Sequence, residues 1–152
     1  QRTPPLCTPY RSYEICGMPN PSSGGIAVAA TLGILENFDL AEYPPADVDS
    51  NGGVPAAHAV HLISEAERLA YADRDKYVAD SDFVPLPGGS PDALLDDTYL
   101  KQRAALIDPD RSMGGPHSPV TSGPFRSAHH RRSPSTEPAT SPSPTATGTS
   151  PR

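Results

Sequence analysis

Ala70-Tyr71-Ala72-Asp73-Arg74-Asp75-Lys76-Tyr77-Val78-Ala79-Asp80-Ser81-Asp82-Phe83-Val84 is a run too long and too ordered to arise from helix composition, and it closes the pattern that decides the fold. From Ala56 to about Ala79, the apolar residues Val60, Ile63, Ala66, Ala70 and Tyr77 fall three, three, four and seven apart, which puts them on one helical face. Glu65, Glu67, Arg68 and Asp73 are left for the remaining, solvated arc. Pro55 suits the first turn of this helix, and Asp80 to Asp82 suit the turn that ends it. Pro85, Pro87, Gly88-Gly89 and Pro91 close the unit. A further helix, from about Asp97 to Ile107, carries Tyr99, Leu100, Ala104 and Ile107 before Pro109 stops it.

Upstream, Met18-Pro19-Asn20-Pro21 must be extended, because each proline restricts the residue before it. Ser22 or Ser23 is then placed to cap a helix that begins at Gly24-Gly25 and runs to about Asn37. Ile26, Ala30, Leu32, Ile34 and Leu35 leave it little polar surface, so it is expected to be buried. Residues 41–55 read as loop from Pro44-Pro45, Asn51-Gly52-Gly53 and Pro55. Residues 6–16 read as a hairpin turning at Pro9-Tyr10-Arg11, with Tyr13, Ile15 and Gly17 on one face and Glu14 on the other. Cys7 and Cys16 could meet across it if Thr8 to Arg11 turns, but two cysteines define no disulfide framework and no zinc spacing; two partly buried thiols are the simpler expectation.

The 152 residues include 20 prolines and 12 glycines, with a mean hydropathy of −0.46. Such a composition lets only about the first two thirds bury a core. Charge is divided: up to Phe125 there are 8 Lys and Arg against 17 Asp and Glu, whereas from Arg126 four arginines face Glu137 alone. An acidic body without clustered cations does not grip nucleic acid. No apolar run approaches the roughly 20 residues that span a bilayer, so this segment implies no membrane contact, and Gln1-Arg2-Thr3-Pro4-Pro5 has no signal-peptide layout. From Ser112 periodicity is lost, and Ser133 to Pro151 is Ser, Thr or Pro at 15 of 19 positions, a composition expected to stay disordered.

Three constellations invite a chemical reading. Ser22-Ser23-Gly24-Gly25 at a helix start offers N–H groups and hydroxyls to an anion, although capping with close glycine packing explains the same residues. His58, His61 and Glu65 stand at metal-ligand spacing on one helix, although a solvated or half-buried face is the simpler expectation, and His117, His129 and His130 fall in the expected disorder. Asp73-Arg74-Asp75 with Asp80 and Asp82 offers carboxylates for acid and base work, but adjacent helix positions point apart, so ion pairs of Arg74 with Asp73 or Asp80 are expected instead. No GxSxG or other nucleophile elbow is present. Accordingly no catalytic residue and no metal ligand is assigned, and substrate-binding residues are left unassigned.

The Ala70–Val84 run, together with Met18-Pro19-Asn20-Pro21-Ser22-Ser23-Gly24-Gly25-Ile26 and Leu32-Gly33-Ile34-Leu35-Glu36-Asn37-Phe38-Asp39, resembles the γ-glutamyltranspeptidases, in which these blocks lie in this order near the end of the large subunit. The resemblance implies an α+β fold class: a fragment of an N-terminal-nucleophile hydrolase αββα sandwich, here a β-hairpin plus three helices and a disordered tail. It divides the chain into a large-subunit fragment, 1–112, and a Ser/Thr/Pro-rich tail, 113–152. It further implies a precursor that cuts itself, a small subunit as partner, and glutathione or another γ-glutamyl donor as substrate. The γ-glutamyl group would pass through a threonine ester to water, an amino acid or a peptide, with no cofactor. The sequence gives no localisation; the resemblance implies the periplasm or the outside of the cell.

That threonine is missing from this chain. Codons permitted for Glu137 to Pro151, with suitable third bases, read from the third base of the first as TSHLSIPDRDGHVA, close to the small-subunit start expected there. A reading frame slipped between about Gly123 and Glu137 is therefore weighed against a natural low-complexity tail. The competing functional reading is a non-enzymatic acidic helical binding module carried on a Ser/Thr/Pro stalk.

Overall fold

The computed structural model of the chain describes residues 4–114; the expected disorder and frame slip beyond them lie outside the described residues. Strands β1 (Leu6–Tyr10) and β2 (Tyr13–Gly17) pair antiparallel, Tyr10 opposite Tyr13 and Leu6 opposite Gly17. The turn is thus Arg11-Ser12 rather than Thr8 to Arg11. Arg11 adopts φ 54°, and its N–H donates to Glu36 Oε1 at 3.0 Å, which ties the hairpin tip to the far end of the next helix. Pro9 is accommodated because a two-stranded ribbon is all edge. The shorter turn sets Cys7 directly opposite Cys16, with Cα atoms 4.1 Å apart, and the two form a disulfide on the exposed face. The expectation of two thiols is therefore corrected.

Helix α1 (Gly24–Leu35) lies beneath the hairpin, with Ile26, Ala27, Ala30, Ile34 and Leu35 buried. The two glycines that make this possible are one per element. A Cβ on Gly17 would stand 2.6 Å from the Gly25 Cα, and one on Gly25 would run into the Met18 carbonyl oxygen. Of the two candidates for the cap, Ser23 makes no side-chain cap. Its Oγ instead accepts from Arg74 Nε at 3.0 Å, while Ser22 Oγ takes the Gly24 N–H at 3.3 Å.

Residues 41–55 are not all loop. After a 3₁₀ turn at Leu40–Glu42, strands β3 (Ala46–Asp49) and β4 (Gly52–Val54) form a small exposed hairpin in which Asp49 Oδ1 accepts from the Asn51 N–H at 2.7 Å. Asn-Gly between valines signals a tight hairpin as well as a loop, and here the pairing wins. Helix α2 (Ala57–Tyr77) follows with Ala56 at its N-cap, so Pro55 stands outside the first turn. Asp80 makes the expected turn, its Oδ1 accepting from Asp82 N–H at 3.0 Å. Helix α3 (Asp97–Ala104) is capped by Asp96, whose Oδ1 accepts from Tyr99 N–H at 3.0 Å, and ends three residues earlier than expected.

The buried core joins Ile26, Ala30 and Ile34 of α1 to Leu62, Ala66, Leu69 and Ala70 of α2 and to Tyr99, Leu100 and Ala104 of α3. The inward face of α2 is therefore rotated from the one its apolar spacing suggests. Val60 and Ile63 are exposed, while Glu65 and Asp73, expected in solvent, are buried.

Candidate functional site

The described residues concentrate buried charge at two places on α2. At its C-terminal half, Asp73 Oδ1 accepts from Arg103 Nη2 at 2.8 Å, and the same nitrogen donates to the Leu69 carbonyl at 2.9 Å. The Arg103 side chain is 0% exposed. Burial pushes the Asp73 carboxyl above its ordinary value, with Arg103 and the Tyr99 hydroxyl pulling against it, and burial pushes the Tyr99 phenol upward as well. This is an internal ion pair that locks α3 to α2. It presents no open face to a substrate.

At the N-terminal half, Glu65 is 2% exposed. Its Oε1 accepts from Ser112 Oγ at 2.7 Å and lies 3.3 Å from Arg68 Nη1; its Oε2 accepts from the Met113 N–H at 3.3 Å. Burial by itself would raise this carboxyl, but the Ser112 and Met113 hydrogen bonds and the charges of Arg68 and His61 outweigh it, and the net shift is downward. A carboxyl held below the ordinary 4.5 lends stability that is complete above that value and is lost as pH falls through the lower native one. Hydrogen exchange at the Met113 amide is thus expected to be slow near neutrality and to lose its protection in acid before the core amides of α2 do. Equal protection at pH 3 and pH 7, after correction for intrinsic exchange, would contradict the assignment.

The constellations singled out from sequence are dispersed. His61 Nε2 meets the Asp108 carbonyl at 2.9 Å, His58 stacks on Tyr43 with ring centroids 4.1 Å apart, and Glu65 is engaged as above, so the three do not converge. Among the described residues no group of three or more His, Cys, Asp or Glu is placed to hold a metal ion. Arg74 pairs with Asp75 at 2.6 Å and with Ser23, not with Asp73 or Asp80. The Ser22–Gly25 corner is spent on packing and on Arg74, which leaves the anion reading without support. Sequence reasoning missed Arg103, and it missed that Glu65 is buried. A signal existed: Arg103 stands three and four residues after Leu100 and Tyr99, on their face, and Glu65 stands three after Leu62.

One feature does point outward. Val28, Thr31 and Leu32 of α1 and Ile63 and Tyr71 of α2, with Tyr10 of the hairpin, line an open apolar groove of about 380 Å³. Val28 is 51% and Tyr71 53% exposed, so α1, apolar nearly all round, is covered on only part of its circumference.

A family model described as gamma-glutamyltranspeptidase matches residues 1–149. The chain belongs to the γ-glutamyltranspeptidase family. It is 43% identical over 108 residues to the glutathione hydrolase proenzyme of Escherichia coli K12, a match covering 71% of this chain and 16% of that protein. It is 37% identical over 108 residues to the acylase ACY 1 proenzyme of Pseudomonas sp. strain SE83, covering 71% and 17%. The crystal structure of the γ-glutamyltranspeptidase from Helicobacter pylori superposes with a TM-score of 0.65 at 34% identity, over 82% of this chain and 32% of that one. The α+β arrangement of hairpin and helices is thus that of a γ-glutamyltranspeptidase segment. The chain spans about a sixth of the length of the curated relatives it matches.

Proposed function

We propose that this chain is the C-terminal part of the large subunit of a γ-glutamyltransferase or glutathione hydrolase, a scaffold for chemistry done elsewhere in the precursor. The observation that carries the reading beyond the family is the uncovered groove between α1 and α2. An apolar helix left bare on one side loses the burial that its composition demands, at roughly 25 cal/mol per Å² of apolar surface. In the complete enzyme the rest of an αββα sandwich would cover it. An independent acidic module on a Ser/Thr/Pro stalk leaves the same face unexplained.

In this reading the 1–112 segment supplies no nucleophile. A threonine at the start of the small subunit attacks the γ-glutamyl amide of glutathione or a similar donor, N–H groups stabilise the oxyanion, and the ester is passed to water, an amino acid or a peptide. Nothing in that sequence of steps calls for a metal or organic cofactor. That one relative is named an acylase supports amide cleavage as the shared step. The exposed Cys7–Cys16 disulfide supports a periplasmic or extracellular site, where such bonds persist.

The purified 152-residue chain is expected to release no anilide from a chromogenic γ-glutamyl anilide. A precursor continued into the Thr-Ser-His frame from about Gly123 is expected to split in two and release it. Release by the short chain, or coding nucleotides that give no Thr-Ser-His in the neighbouring frame, would refute the respective half of the proposal.

A further inference from the structure

The Cys7–Cys16 bond sits where a small molecule can reach it. Along the hairpin, Leu6, Thr8, Ile15 and Gly17 are partly covered, whereas Cys7, Pro9, Glu14 and Cys16 are exposed. Pro9 has no N–H to give, so its pair with Glu14 is a non-hydrogen-bonded one. The alternation of an antiparallel ladder makes Cys7 opposite Cys16 the next pair of that kind, where side chains stand closest. The register alone therefore brings the two sulfurs together.

Beside this bond lies a second open, largely apolar pocket of about 290 Å³, bordered by Cys16, Met18, Ser22 and Gly24 and by Val28 and Ala29 of α1. None of the described residues of β1 borders it, so it runs along the outer edge of β2. A thiolate attacks one sulfur of a disulfide from the side opposite the sulfur that leaves. For a bond that crosses the ribbon from β1 to β2, the approach to Cys16 comes from the outer edge of β2, which is the side of the pocket.

Holding the ribbon together is the plainer role, since two strands alone are marginal. Yet the hairpin is fixed without the bond: the Arg11 N–H donates to Glu36 Oε1 at 3.0 Å, Gly17 is seated against Gly25, and Leu6 packs on the core. An opened bond thus leaves its two sulfurs facing each other. We propose that Cys7–Cys16 is a thiol-exchange site, at which a low-molecular-weight thiol taken up in the pocket attacks Cys16 Sγ and Cys7 is the leaving and resolving thiol. The thiolate forms its bond to Cys16 Sγ as the Sγ–Sγ bond breaks, and the electron pair leaves on Cys7, which takes up the proton that the attacking thiol lost. Cys7 then either attacks the mixed disulfide and expels the small thiolate, or a second small thiol attacks the bound one, giving a small-molecule disulfide and Cys16 as thiolate. Glutathione, the donor in the reading above, is such a thiol and serves as the probe, but the site rests on the hairpin and not on that reading.

In the test the oxidised 152-residue chain is mixed with reduced glutathione under nitrogen, quenched with excess N-ethylmaleimide and mapped by peptide mass spectrometry. Early in the reaction glutathione is expected on Cys16 and the maleimide on Cys7, in about tenfold excess over the reverse arrangement. Val28→Trp, at a position 51% exposed, fills the pocket, and it is expected to slow opening of the bond about threefold or more without changing the far-ultraviolet circular dichroism. The spectrum of the fully reduced chain is expected to match that of the oxidised one. Equal adducts on both cysteines, or a preference for Cys7, would overturn the assignment. So would a bond that resists glutathione in the folded chain, or one that opens as fast in a folded Val28→Trp variant. Collapse of the spectrum on reduction would leave the bond a staple and nothing more. None of these readouts involves γ-glutamyl transfer, so this test and the anilide test fail separately.

Discussion

Arg103→Met is expected to be the most damaging single substitution in the described chain, costing about 3–5 kcal/mol, the range for removing one partner of a buried ion pair. The guanidinium is wholly buried between α2 and α3, and its one bonded nitrogen serves both Asp73 and the Leu69 carbonyl. Methionine fills most of the volume but leaves the buried Asp73 without its cation, beside the Tyr99 hydroxyl. The pH dependence follows from which partner can shed its charge. In Arg103→Met the remaining Asp73, whose carboxyl burial already pushes upward, neutralises by taking a proton, so the loss is greatest near neutral pH and shrinks in mild acid. In Asp73→Asn the remaining arginine has no such escape, and the loss persists as pH falls. Because Nε and Nη1 of Arg103 have no hydrogen-bond partner among the described residues, the pair is incompletely satisfied. Asp73→Leu combined with Arg103→Met is therefore expected to regain most of the stability. Urea titrations followed by far-ultraviolet circular dichroism at two pH values read all four proteins. A double variant no better than the worse single one would show that the pair is not a unit.

Those residues also mark where sequence reading stopped. Helix α1 was legible because Ile26 to Leu35 is almost unbroken apolar text, which only a buried helix explains. Helix α2 was legible as a helix but not in its facing. Its inward arc carries Glu65 and Asp73, and a charged residue read in isolation belongs in water. What brings both inside are Arg103, Ser112 and Met113, 30 to 48 positions further along, and no local periodicity records such partners. Val60 and Ile63 misled in the opposite direction: both are exposed, and Ile63 borders the open groove instead of the core. The disulfide hinged on where the turn falls and how long it is: two residues at Arg11-Ser12, in place of four at Thr8–Arg11, set Cys7 opposite Cys16. Function was legible only through the ordered blocks at 18–39 and 70–84. The metal-like spacing of His58, His61 and Glu65 and the carboxylates of 73–82 dissolved into stacking, latching and ion-pair roles.

Gly25→Ala and Gly24→Ala are expected to have opposite signs, although the two glycines are neighbours at the start of the same helix. Alanine in place of glycine favours a helix by up to about 1 kcal/mol. At Gly24 nothing opposes that gain: the nearest atom to a new Cβ is Ser22 Oγ at 3.6 Å, an ordinary contact. Gly24→Ala should therefore be neutral or stabilising by no more than about 1 kcal/mol. At Gly25 the new methyl meets backbone on the facing strand, the Met18 carbonyl oxygen first and the Gly17 carbonyl carbon at 3.2 Å. Neither is the movable end of a side chain, so β2 must lift from α1, and the Arg11–Glu36 tie at the hairpin tip resists the movement. Overpacking of this kind costs about 1–3 kcal/mol or more, which exceeds the propensity gain and sets the sign as destabilising. The pair of substitutions also separates the two readings of Ser22-Ser23-Gly24-Gly25. Close packing predicts damage at Gly25 alone, in buffer with or without phosphate. An anion cradle predicts that both alanines weaken a phosphate-dependent rise in the urea midpoint, and a rise of that kind in the parent chain would restore the reading that the structure leaves unsupported.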